Sequence, residues 1–183
     1  MSVTVVPFSA SEHLSRTIEV LLRVREADPT YPPPRDVEKN ADSFSEWILE
    51  SRDFGRWVAL VDGQIAGHVQ LTKTHAYLSD LLSAVGYQPI GRNGIAEVAK
   101  FFVDPLHQHE GIGQALFTKA CSFAWDVGMQ PALVVVVTSY DAIRFYRRAG
   151  MRDVGSFFGI HGENRVLVQE TDISQRAARS RAV

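Results

Sequence analysis

Residues 96–127, AEVAKFFVDPLHQHEGIGQALFTKACSFAWDV, restrict what this chain can fold into more than any other stretch. An apolar run of Val98, Phe101, Phe102 and Val103 stops at Asp104-Pro105, and a polar loop carries Gln108-His109-Glu110-Gly111-Ile112-Gly113. Ile112, Ala115, Leu116, Ala120, Phe123, Ala124 and Val127 then recur at three and four, the period of a helix with one buried face. A strand that feeds a helix through such a loop leaves backbone N–H groups unpaired at the positive end of the helix dipole. That terminus attracts anions, and glycine lets a phosphate approach because no Cβ intervenes.

The 183 residues suffice for one domain with a full core, expected over 1–172, and 173–183 read as a disordered tail carrying Arg176, Arg179 and Arg181. Nineteen Lys and Arg against 21 Asp and Glu leave a net charge of −2, which argues against a dedicated nucleic-acid binder. Cys121 is the single cysteine, so no intrachain disulfide or cysteine-based metal cluster is expected, and its helix position reads as a small buried residue. His107, His109, His75 and His161 show no fixed ligand spacing, so no metal is expected. No apolar stretch approaches bilayer length and no signal peptide is evident, so no membrane partner and a cytoplasmic location are the expectation.

Val3, Val5 and Val6 before Pro7 form a short first strand, and Ser9 with Glu12 reads as a capping box for a helix through Leu14, Ile18, Leu21 and Leu22. The proline-rich segment from Asp28 to Pro34 is a stiff loop. It either connects two helices or walls an acceptor pocket with Tyr31 reaching in. Ser43 to Arg52 forms a second helix, and Arg56 to Leu71 a hairpin about Asp62-Gly63, a pair suited to a type I′ turn. Residues 72–94 carry leucines at helical spacing and then several glycines, a long connection that is a candidate lid or subunit contact. Ala132 to Val137 is a continuous apolar strand of the kind buried on both faces in a parallel pair. Thr138 with Asp141 reads as a second capping box, for a helix through Ala142, Ile143, Phe145, Tyr146 and Ala149 that stops at Gly150. Arg152 to Ile160 and Arg165 to Glu170 close the chain as an antiparallel hairpin.

Gln-x-x-Gly-x-Gly at 108–113 after Val103-Asp104-Pro105 resembles the acetyl-CoA pyrophosphate loop of the GCN5-related N-acetyltransferase (GNAT) superfamily. Ala142-x-x-Phe145-Tyr146-x-x-x-Gly150-Met151 resembles that family's second signature, and the element order matches over nearly the whole chain. The resemblance implies an α/β (α+β) fold: a central, mixed, mostly antiparallel sheet of about seven strands, a parallel pair at strands four and five, and about four flanking helices. It implies an acetyltransferase with acetyl-CoA as cosubstrate, acting on a primary amine of a small molecule or peptide, and pairs of chains are frequent among relatives.

It also implies roles. Backbone groups of Phe101, Phe102 and Val103 on the fourth strand would pair with the pantetheine arm and meet the thioester carbonyl. The backbone of His109, Glu110, Gly111, Ile112, Gly113 and Gln114 would hold the pyrophosphate. Ser139 stands where many relatives carry asparagine against the pantetheine arm, and Glu110 where a basic residue is common; a carboxylate there must point outward. Arg147, Arg148 and Lys119 are either ligands of the 3′-phosphate or solvated charges. Tyr146 is the candidate acid for the departing thiolate, since a phenol is protonated at neutral pH, or else a core aromatic. Glu97 is the candidate base for the amine, or else a solvated strand end; His68 is a second candidate base, and water or no base at all stays open. A non-catalytic acyl-CoA-binding module is the alternative function. A phosphate-loop nucleotide enzyme is disfavoured, because no Gly-Lys-Ser/Thr ending follows the loop.

Overall fold

The computed structural model describes residues 2–32, 41–50, 53–73, 76–159 and 162–171. The elements run β1 (Val3–Pro7), α1 (Ala10–Ala27), α2 (Ala41–Leu49), β2 (Asp53–Val61), β3 (Gln64–Lys73), α3 (Ala76–Ala84), β4 (Ile95–Val103), a 3₁₀ turn (Pro105–His107), α4 (Ile112–Asp126), β5 (Gln130–Val136), α5 (Tyr140–Arg148), β6 (Met151–Gly159) and β7 (Gly162–Gln169). The seven strands follow the order β1-β2-β3-β4-β5-β7-β6. β4 and β5 are parallel, whereas β1 with β2, β5 with β7, and β6 with β7 are antiparallel. This is the mixed, mostly antiparallel sheet that the resemblance implies. The expected tail, 173–183, lies outside the described residues, as do His75 and His161.

The chain clusters into two compact units, one of residues 1–71 and 99–120, the other of 72–98 and 121–183. In the first, Val20 and Leu21 of α1, Phe44 and Ile48 of α2, Val58, Ile65 and Phe102 form a buried cluster. The β2–β3 turn has Asp62 at φ 48° and Gly63 at φ 80°. Two successive left-handed residues are what a type I′ turn needs, so the pair works as expected.

In the second unit, Leu78 and Leu82 of α3 pack with Ile95, Ala132, Val166 and Val168. α3 is therefore part of this unit's core. Buried Gln130 ties its return path down: Oε1 accepts from the N–H of Ile90 (2.9 Å), and Nε2 donates to the Tyr87 hydroxyl (2.7 Å) and to the carbonyl of Gln169 (3.1 Å). The β4–β5 pairing covers Ile95, Ala96 and Glu97 opposite Gln130, Pro131 and Ala132.

Two local expectations fail. Ser9 precedes α1 but its side chain makes no capping bond; its N–H donates to His13 Nδ1 (2.9 Å) instead. Thr138 is not the residue before α5, because Ser139 is, and Ser139 also lacks a side-chain cap bond. A histidine four residues on supplied the first partner, and a one-residue shift of the helix start removed the second.

Candidate functional site

β4 departs from strand geometry at Lys100, whose φ is +47°. Non-glycine residues enter this left-handed region at a cost, so side chains must hold it there. Lys100 Nζ donates to the carbonyl of Trp47 and lies 3.1 Å from Glu50 Oε2, while its own carbonyl accepts from His68 Nδ1 at 2.8 Å. His68, on β3, is fully buried, stacked on Phe102 (5.2 Å between centroids, 23°) and edge-on to Phe8 (5.7 Å, 88°). Burial, with the Arg56 and Lys100 charges, lowers its pKa to about 3 against the opposing pull of the Lys100 carbonyl. The imidazole is neutral at physiological pH, with the proton on Nδ1.

After the break in β4, the ring of Phe101 lies 6.0 Å from that of Phe117 on α4. Asp104 ends the strand, and its carboxylate accepts from the N–H of Leu106 (3.1 Å), which starts the 3₁₀ turn. His109 at φ 66° and Gly111 at φ 82° then bend the loop into α4. The first N–H beyond the turn that bonds the backbone is Ala115, to the carbonyl of Gly111 (3.0 Å). Among the described residues, none accepts from the N–H groups of His109 to Gln114. Six donors at a helix N-terminus, next to a glycine with no atom within 4 Å of where a Cβ would stand, form an arrangement that suits an anion. Glu110, the awkward charge in this loop, lies 2.9 Å from His107 Nδ1 and is engaged there.

A residue that sequence reasoning missed seats this loop. Gly67 on β3 lies against the start of α4; a Cβ on it would stand 2.9 Å from Leu116 Cδ1 and 2.9 Å from the carbonyl oxygen of Phe102. The helix packs this close to the strands only because position 67 has no side chain.

In the second unit, Glu97 is half-buried at the β4–β5 pairing, and burial raises its pKa to about 6. Tyr146 on α5 is half-buried; burial and then the Cys121 thiol raise its pKa, so the phenol keeps its proton at neutral pH. Its ring packs edge-on against Phe145 (5.5 Å, 69°). Cys121 is buried. Ser139 is exposed at the start of α5. Among the described residues, no three His, Cys, Asp or Glu side chains gather into a metal-binding group, and no helix is long and apolar enough to cross a membrane.

A family model, described as Acetyltransferase (GNAT) family, matches residues 21–151, most of the chain. The chain belongs to that family. An uncharacterized N-acetyltransferase of Methanocaldococcus jannaschii is 30% identical over 117 residues, 63% of this chain and 47% of that protein. Another, from Archaeoglobus fulgidus, is 29% identical over 126 residues, 68% of this chain and 76% of its own length. The match thus spans about half of the first relative and three quarters of the second. The fold is that of Arabidopsis thaliana NAA60, solved in complex with acetyl-CoA: TM-score 0.65, 18% identity, 91% of this chain and 97% of that one.

For a GNAT chain, the loop and the α5 signature were the visible parts. Lys100 and Gly67 were not visible. Lys100 is forced left-handed by partners far away in sequence, and Gly67 resembles any strand glycine until the helix against it is placed.

Proposed function

We propose that this chain catalyses transfer of an acetyl group from acetyl-CoA to a primary amine of a small molecule or peptide, by direct attack of the amine on the thioester. What carries this reading is the row of unengaged N–H groups from His109 to Gln114 beside left-handed Gly111. Six donors at a helix N-terminus suit the diphosphate of CoA, which carries two charges and presents oxygens that only accept.

Acetyl-CoA supplies an activated acyl group, and the chain supplies position, charge stabilisation and proton traffic. Backbone groups of Phe101 to Val103 line the arm of the cosubstrate as an added strand would, and a backbone N–H there stabilises the charge that builds on the carbonyl oxygen. Glu97 accepts the proton of the amine. A carboxyl with a pKa of about 6 is mostly ionised at neutral pH, yet binds a proton more firmly than an ordinary glutamate. The Tyr146 hydroxyl, held protonated by its surroundings, gives its proton to the sulfur as the thiolate leaves. Ser139 offers a hydroxyl to the pantetheine amides. The reaction so written needs no metal.

The test is a panel of amines with acetyl-CoA, read by release of free thiol. Thiol release that depends on an amine is the expected result. Tight CoA binding with no turnover on any amine would leave the binding-module alternative, and absence of CoA binding would remove both.

A further inference from the structure

We propose that His68 is a positioning residue for acyl transfer: it clamps the Lys100–Phe101 peptide at the break in β4 and so sets the direction of the Phe101 N–H. This rests on the acetyl-transfer reading above. The peptide is planar and trans, so its C=O and N–H point opposite ways. A donor that holds the Lys100 carbonyl therefore aims the Phe101 amide as well. His68 Nδ1 is that donor, at 2.8 Å.

The ring is poorly placed for anything else. Phe102 stacks on it, Phe8 meets it edge-on, and it is wholly buried. Its Nε2 is buried without a hydrogen-bond partner among the described residues. An orphaned acceptor is a standing cost, and an apolar side chain would fill the space without it. The single polar job left is the bond to Lys100. With its pKa lowered to about 3 by burial, the imidazole is also a poor base for a reaction near pH 7. That removes it as the second candidate base and keeps Nδ1 a donor throughout.

The geometry of substitution provides the test. In H68N the side-chain amide nitrogen occupies nearly the place of Nδ1, so the clamp is kept and the rest of the ring is lost. In H68L the volume is roughly kept and the clamp is lost. H68L is expected to lower kcat about 10- to 100-fold with the KM for acetyl-CoA changed less than about threefold. H68N is expected to stay within about threefold of the parent in both, with an unaltered pH profile. Wild-type turnover in H68L, or H68N as slow as H68L, overturns the inference. Should H68L not fold, H68Q replaces it; its amide sits one methylene too far and is expected to lose turnover likewise. A further readout needs no substrate: the carbonyl-carbon resonance of Lys100 moves upfield in H68L and stays in H68N. An unmoved resonance in H68L overturns the clamp even if no amine is ever turned over, whereas failure of the amine panel alone overturns the acetyl-transfer reading.

Discussion

Arg23 on α1 grips Asp104 at the end of β4 with two nitrogens, Nε 3.2 and 3.0 Å from the two carboxylate oxygens and Nη2 2.5 Å from the second. Asp104 is 2% exposed and Arg23 38%. The same carboxylate holds the N–H of Leu106, so the pair fixes both the end of the strand and the entry to the loop before α4. Burial pushes the Asp104 pKa up, but the Arg23 bond, the Leu106 N–H and nearby positive charge outweigh it and leave the pKa below its ordinary 3.8.

Breaking that pair is expected to destabilise the fold. Arg23→Gln strands a buried carboxylate, at a cost of about 3 kcal/mol, the lower end for broken buried pairs because the guanidinium is partly in water. Thermal melting at pH 7 measures it. A depressed carboxyl stabilises the folded state above the unfolded pKa and stops doing so as pH falls through the folded one. The difference between parent and variant should therefore be full at pH 7 and shrink below about pH 4. A difference that grows in acid would show that the pair is not the cause.

Gly67→Ala is expected to loosen the loop without touching it. Its Cβ would stand 2.9 Å from a backbone oxygen, that of Phe102, which cannot swing aside as a side-chain tip can. Overpacking of this kind costs about 1–3 kcal/mol. Calorimetry should also show weaker CoA binding, because α4 must back away from the strands. Wild-type affinity would mean that the helix start is not held by this contact.

Gly111 answers to a different constraint. A Cβ there meets nothing within 4 Å, but φ is +82°. Gly111→Ala should lose about 1–2 kcal/mol of stability from backbone strain alone. Gly111→Asp should lose a similar amount of stability and far more CoA affinity, since it puts a carboxylate among the N–H groups proposed to hold the diphosphate. Equal affinities in the two variants would argue against a diphosphate at this loop.

The parts of the fold legible in the sequence are those written by neighbours in the chain. Asp62-Gly63 announces its turn, the three-and-four spacing announces α4, and Gly111 announces a tight approach. The two capping boxes are equally local in pattern yet do not form: His13 Nδ1 takes the Ser9 N–H, and α5 begins one residue later than Thr138 implies. Lys100 gives no sign of its positive φ, since its restraints come from Trp47, Glu50 and His68, 53, 50 and 32 residues away. Gly67 is equally silent until Leu116 and Phe102 are placed beside it. What sequence cannot carry here is the set of long-range contacts that hold a strained backbone.

Tyr146→Phe removes a hydroxyl and little else. If the phenol protonates the leaving thiolate, kcat should fall about 100-fold while calorimetric CoA affinity stays within about threefold. A fall in affinity with kcat intact would make Tyr146 a packing residue of α5.

Glu97→Gln gives two signals with opposite signs. A base must be ionised, so turnover in the parent should fall as pH drops through about 6, where Glu97 takes up its proton. Glutamine should remove that limb and lower the plateau; a limb that persists assigns the proton to water or to the free amine. Stability moves the other way. The unfolded chain releases this proton near 4.5 and the folded chain near 6, so folding is penalised progressively over that interval and at every pH above it. A shift of that size corresponds to about 2 kcal/mol. Glu97→Gln should therefore melt higher than the parent at pH 7.5 and no higher at pH 4. A variant that loses turnover while gaining stability is the signature of a carboxyl held in an unfavourable setting for the sake of a proton transfer. One that loses both would place Glu97 in the architecture of the β4–β5 pairing and return the search for a base to the solvent.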